Sequence, residues 1–93
     1  MNTTRKKVEK QFNENFRELR KILNSRELIP GSPEDEFDSI NHQILTHLYN
    51  GVDLVKLVRV LDGQLTVNYG LTTDIEEVKE IASEIMEWWN QRN

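Results

Sequence analysis

Residues 72–89 read TTDIEEVKEIASEIMEWW, and this stretch has the pattern of an amphipathic helix. Its apolar residues recur at steps of three and four, which places their side chains on one helical face. Thr73 and Glu76 have the spacing of a capping box, which predicts where the helix begins. We therefore expect a helix over residues 74–91. Its apolar face comprises Ile75, Val78, Ile81, Ala82, Ile85, Met86, Trp88 and Trp89.

The segment before it, residues 53–69, also spaces its large apolar residues as a helix does. Asp53 is placed to cap the first turn, and Gly70 to end the helix. A second interpretation remains open, because Asp62 and Gly63 form a turn sequence and the LTVNY nearby is rich in strand-forming residues. We favour a continuous or slightly broken helix, since a lone strand would have no partner.

A further helix is predicted over residues 33–50, beginning within the sequence PGSPEDEFD. Ser32 is placed as the N-cap, Pro33 as the first helical residue and Asp35 as the third position of a capping box. The dipeptide Asn50-Gly51 supplies a left-handed stop. The apolar face of this helix comprises Phe37, Ile40, Ile44, Leu45, Leu48 and Tyr49.

An apolar stripe near the N-terminus predicts a first helix over residues 4–24. The chain then contains four helices joined by connections of two to about nine residues, a length typical of antiparallel neighbours. At 93 residues it has the size of one small domain. We therefore predict an all-α fold, a single-domain antiparallel bundle of about four helices over residues 1–93.

The net charge of −4 is divided unevenly along the chain. Residues 1–26 hold eight Lys or Arg and three Glu, a net charge of +5, whereas residues 27–93 hold four Lys or Arg and thirteen Asp or Glu, a net charge of −9. Such asymmetry favours association with charged partners. The N-terminal sequence is interrupted by charge where a signal peptide is apolar, and no stretch is apolar enough to span a membrane, so we predict a cytoplasmic protein.

Nothing in the sequence points to catalysis. There is no cysteine, which excludes disulfides, thiolate metal ligands and a thiol nucleophile. His42 and His47 are five residues apart, or about 140° around a helix, so they cannot chelate one metal ion as an i, i+4 pair can. Phosphate-binding loops and metalloprotease or hydrolase motifs are also missing. We predict no catalytic residue, no cofactor and no metal, and therefore no enzyme.

The carboxylates exceed what helix capping requires, and this excess suggests a surface for a basic protein partner. One acidic group opens the second predicted helix and another follows one face of the last. A part-exposed tryptophan near the C-terminus would add an aromatic anchor. The predicted partner-binding residues are Glu34, Asp35, Glu36, Asp38, Glu76, Glu80, Glu84 and Trp89. The ordinary alternative is a solvated acidic face, with both tryptophans packed at the edge of the bundle.

Four segments, SPEDEFDSINHQI, LVKLVRVL, NYGL and TTDIEEVKEIASEIMEWW, follow one another between residues 28 and 89. Their order, with an acidic P-x-D-E-[FY]-D segment opening the second helix, resembles that of small helical bacterial proteins of unknown function. It is also similar to that of small helical immunity proteins that neutralise contact-dependent or colicin-type toxins. The resemblance implies a helical fold and a toxin as partner, but it assigns no role to any single residue.

These observations predict a non-enzymatic protein-binding module, with neutralisation of a bacterial toxin as its specific function. A nuclease toxin has a cationic cleft that an acidic protein can occupy or flank by charge complementarity. One alternative is a homodimeric helical protein of structural or regulatory function. Another is a nucleic-acid-binding protein that uses the basic first helix, although its cations are interleaved with Glu9, Glu14 and Glu18.

Overall fold

The computed structural model describes residues 3–26, 31, 33 and 35–92, with side chains from residue 9 onward. These residues form four α-helices and one π-helical turn and no β-strand, which confirms the all-α, four-helix fold class. None of the described helices is long and apolar enough to cross a membrane. The elements are α1 (Thr3–Ser25), α2 (Asp38–Tyr49), α3 (Leu54–Gly63), the π turn (Gln64–Asn68) and α4 (Ile75–Gln91).

The chain divides into two compact units, Met1–His42 and Gln43–Asn93, so the boundary falls inside α2. In the first unit, Arg20 near the end of α1 binds Asp38 at the start of α2. Phe12, two turns earlier in α1, contacts His42, one turn into α2. The later contact residue on α2 pairs with the earlier one on α1, so these two segments run antiparallel. That the whole chain forms one domain stays a prediction.

The start of α2 differs from the prediction, which placed it at Pro33. The α-helix begins five residues later, at Asp38, and the two preceding bonds span three residues: Glu36 N to Pro33 O and Asp38 N to Asp35 O. Such tighter bonds are common at helix ends. The first bond of α-helical span runs from Asn41 N to Phe37 O. The proposed cap Ser32 lies outside the described residues.

One buried polar residue stands out in the first unit. Asn41 has no exposed surface, and among the described residues neither polar atom of its side-chain amide has a hydrogen-bond partner. A buried polar group without a partner gives up its hydration and receives nothing in exchange. Asn41 therefore lowers the stability of the fold.

In the second unit α3 packs against α4. From α3 and the π turn, Leu57, Leu61 and Leu65 are buried. The π turn helps to keep Leu65 buried. A π turn holds more residues than an α turn, so the side chain of Leu65 stays on the same side of the helix as Leu57 and Leu61. Residues 62–68 thus continue the helix, as we favoured, and the alternative strand is absent from the described chain.

Side-chain caps fix where α3 and α4 begin. Asp53 accepts a hydrogen bond from Lys56 N at 2.8 Å, which confirms its predicted role. The prediction for α4 was wrong by one residue, because Asp74 rather than Thr73 is the cap and accepts from Glu76 N at 3.0 Å. The Thr73 hydroxyl instead donates to Asp62 Oδ1 at 2.6 Å and ties the connection to the end of α3.

Glycines end α2 and the π turn, as predicted. At the end of α2, Val52 N binds His47 O and Gly51 N binds Leu48 O, the pair of bonds that defines a Schellman motif. Gly51 has φ +78°, and Gly70 after the π turn has φ +63°. Both angles lie in the left-handed region, which costs any residue with a Cβ atom about 1–2 kcal/mol.

Replacing Asn41 with leucine should raise the free energy of unfolding by about 1 kcal/mol, because the change removes a buried amide without a partner. Asn41→Asp should lower it, because a carboxylate would lose its hydration in the same place. Urea denaturation of the three proteins measures both differences. A less stable Asn41→Leu variant would contradict this account of the side chain.

Two glycines should respond to alanine in opposite directions. Gly51→Ala should lower the free energy of unfolding by about 1–2 kcal/mol, because alanine is strained at positive φ. Gly63→Ala, inside the continuous helix, should raise it by about 0.5–1 kcal/mol, because alanine loses less backbone entropy. Apart from adjacent residues and the backbone of the same helix, no atom lies within 4 Å of a Cβ placed at either position, so steric clashes do not contribute.

Thermal or urea denaturation of the pair separates these effects. A destabilising Gly63→Ala would contradict the continuous helix and support the turn that the sequence left open.

Candidate functional site

Neither histidine belongs to a metal-binding group among the residues that the structure describes. His42 is exposed, and its ring meets the Phe12 ring edge to face with centroids 5.9 Å apart. His47 is half-buried near the end of α2. Within the described part of the chain, no group of three His, Asp or Glu side chains is arranged to hold a metal ion.

The first predicted acidic group, residues 34–38, is only partly described. Glu34 lies outside the described residues. Asp35 is exposed and Glu36 is half-buried. Phe37, which the sequence placed on the apolar stripe, has 2% of its surface exposed, so it belongs to the core and cannot anchor a partner.

Asp38 is already engaged within the chain. Its Oδ1 accepts from Arg20 Nε at 3.0 Å and its Oδ2 from Arg20 Nη2 at 2.5 Å, a bidentate ion pair whose side chains are each 32% exposed. The guanidinium also lies over the Phe16 ring, 5.6 Å from its centroid. The carboxylate of Asp38 is thus neutralised rather than surplus, and Arg20 is not available to a phosphate group.

The second predicted acidic group forms a row along α4. Glu76, Glu80 and Glu84 are four residues apart, so each lies about 40° around the helix from the one before. Glu76 and Glu80 are exposed and Glu84 is half-buried. Lys79 Nζ lies 3.7 Å from Glu76 Oε1, and this exposed pair contributes little. The row keeps its negative character because Glu77 and Glu87 are exposed beside it.

The two tryptophans fall on different sides of α4. Trp89, the predicted anchor, lies about 180° around the helix from the middle of the glutamates, counting 100° per residue. Its ring meets Tyr49 edge to face, with centroids 5.1 Å apart. Trp88 continues the row, because it follows Glu84 by four residues, and the Arg92 guanidinium lies 5.4 Å from its ring centroid.

Both tryptophans are half-buried, so both retain contactable surface. The aromatic neighbour of the acidic row is nevertheless Trp88. The sequence-based selection missed this residue, although its spacing of four from Glu84 is visible in the sequence. We call Glu76, Glu80, Glu84 and Trp88 the α4 row.

The predicted site residues therefore divide between the units. Asp35, Glu36 and Asp38 belong to the first unit, and the α4 row belongs to the second. The α4 row is the better candidate surface, because its residues lie on one continuous helix whose rotation is fixed by its buried face.

Comparisons of the chain with protein-family models, with curated proteins and with solved structures found no match. The resemblance to helical immunity proteins thus rests on the sequence segments alone and stays a prediction.

The Arg20–Asp38 pair should stabilise the first unit. Arg20→Ala and Asp38→Asn should each lower the free energy of unfolding by about 1 kcal/mol, because a bidentate pair is stronger than an ordinary surface pair. The double variant should lose less than the sum of the two. Urea denaturation of the four proteins measures this coupling.

Asp35→Asn is the matched control, since Asp35 is exposed and precedes α2 in the same segment. It should change stability by less than about 0.5 kcal/mol. Additive effects of the Arg20 and Asp38 substitutions would refute the ion pair.

Proposed function

We infer that this chain is a non-enzymatic protein-binding module that uses the α4 row to bind a cationic protein, most specifically a bacterial toxin with a basic cleft. The observation that carries the proposal is the row itself: three carboxylates at steps of four, ending in a half-buried tryptophan.

The two kinds of residue in the row would contribute differently. Exposed carboxylates attract a cationic partner over a distance set by the salt concentration and raise the rate of association. A tryptophan at the end of such a surface supplies apolar area, and tryptophan is enriched among the residues that dominate binding energy. Arg92 over the Trp88 ring holds that side chain in place.

Toxin neutralisation is the specific form of this proposal, and two features of the sequence support it. Residues 27–93 carry the net charge of −9 that a basic nuclease cleft would attract. The segment order resembles that of helical immunity proteins. On this proposal the protein acts in the cytoplasm, before the toxin reaches its substrate there.

The test is co-expression in bacteria with the toxin encoded by the reading frame next to the gene. The protein should restore growth, and the triple variant Glu76→Lys, Glu80→Lys, Glu84→Lys should not, because the partner would meet repulsion instead of attraction. Binding of the purified proteins should weaken at least about tenfold, or about 1.4 kcal/mol. Trp88→Ala should weaken it by a similar factor.

The matched control is Glu9→Lys, Glu14→Lys, Glu18→Lys on α1, which raises the net charge of −4 by the same amount. It should still protect the cells, since the charge of α4 is unchanged. Equal loss with both triple variants would reduce the effect to net charge and contradict a defined site. A neighbouring frame that encodes no toxin would contradict the neutralisation proposal.

A further inference from the structure

A second surface, on α3, has a composition that the acidic row does not explain. The apolar residues of the helix sequence LVKLVRVLDG cover more than half of the helix circumference, which is wider than packing against one neighbouring helix requires. Only Leu57 and Leu61 of this helix are buried. Leu54 is 42% exposed and Val55 is 66% exposed. One side of α3 therefore leaves apolar surface in contact with water.

The exposed side of α3 has the ridges and grooves along which helices pack. Val55 and Arg59 are four residues apart and form one ridge, and Lys56 and Val60 form the next. An open groove of about 430 Å³ lies along these four residues and Asp53. We call it the α3 groove. Grooves between such ridges are where the side chains of a second helix interdigitate.

The charge of the α3 groove is opposite to that of its surroundings. Lys56 and Arg59 are two of the four basic residues after residue 26, in a segment of net charge −9. Among the described residues neither has an acidic group within ion-pair distance. The Asp53 carboxylate in the groove is engaged in capping, where it accepts from Lys56 N. The groove thus combines two valines with two cations that have no ion-pair partner among the described residues, and its formal charge is +1 when the Asp53 carboxylate is counted.

We propose that the α3 groove binds an amphipathic helix of a partner protein in which an apolar row is flanked by carboxylates. The ridges favour a helix as occupant, and Lys56 and Arg59 favour acidic flanks. Because these cations are three residues apart on α3, carboxylates three or four residues apart on the partner helix match them.

Two other occupants fit less well. In a twofold dimer through this groove, each copy would bring Lys56 and Arg59 to the same interface, and the cations would repel one another. An anionic membrane would attract the two cations, but α3 is only ten residues long and offers a narrow apolar face for lying in a bilayer surface.

The proposal is independent of the function assigned to the α4 row. The two surfaces lie on different helices and select partners of opposite charge. A variant of one therefore leaves the other unchanged, and failure of either proposal can be recognised separately.

The experiment is a selection from a displayed library of helical peptides with a fixed leucine row and either Glu or Lys at each flanking position. The intact protein should enrich Glu over Lys at the flanks by about tenfold, a difference of about 1.4 kcal/mol. The variant Lys56→Glu, Arg59→Glu should reverse this preference and enrich Lys. Val55→Ser should weaken the selected peptides without changing their charge preference.

The matched control is Arg17→Glu, Lys21→Glu, which reverses two exposed cations on α1 and changes net charge equally. It should select the same Glu-flanked peptides as the intact protein. The two charge-reversed variants and Val55→Ser alter only exposed side chains. Circular dichroism should therefore show the same helix content for all three variants as for the intact protein.

Five results would overturn the proposal. No enrichment, or the same enrichment by the charge-reversed variant, would show that the groove does not select acidic helices. Binding to mixed phosphatidylcholine and phosphatidylglycerol vesicles that Val55→Ser abolishes would assign the face to membranes. Dimerisation in sedimentation experiments that Val55→Ser abolishes would assign it to a second copy. Loss of the selected peptides with Glu76→Lys, Glu80→Lys, Glu84→Lys would place them on the α4 row.

Discussion

The buried stripe of α4 is the constraint on which the rest of the second unit depends. Ile81, Ala82 and Ile85 have no exposed surface, and Val78 has almost none. Side chains project from a helix at fixed angles, so burying this stripe fixes the direction of every other side chain on α4. The glutamates are thereby held outward, and the adjacent Trp88 and Trp89 are separated by about 100° around the axis.

The second unit combines this acidic helix with a helix whose exposed side is apolar and cationic. In a chain of 93 residues little interior is available for a pocket, and both proposed binding surfaces lie on the outer faces of helices. α4 uses its surplus polar positions for carboxylates. α3 instead leaves valines exposed beside Lys56 and Arg59, although burying them would have stabilised the fold. On both helices the composition thus departs from what folding alone requires.

Features set by neighbouring residues could be predicted from the sequence, whereas those set by distant residues could not. The Asp53 cap and the left-handed Gly51 depend on a few adjacent positions, and both predictions are confirmed. The cap of α4 moved to Asp74 because a residue eleven positions earlier takes the Thr73 hydroxyl. Likewise Asp38 looked like surplus charge, since its partner lies eighteen positions away on another helix. No short sequence pattern predicts the π turn, because the turn depends on keeping Leu65 buried.

The glycine stop at the end of α2 also bears on how the second unit forms. The Schellman motif around Gly51 connects the end of α2 to the start of α3 within residues 50–53. Closing so short a loop costs little chain entropy, and contacts between neighbours in sequence form early. The same backbone conformation that alanine would strain therefore lets α3 begin within a few residues of the end of α2, which limits the chain entropy lost when this connection forms.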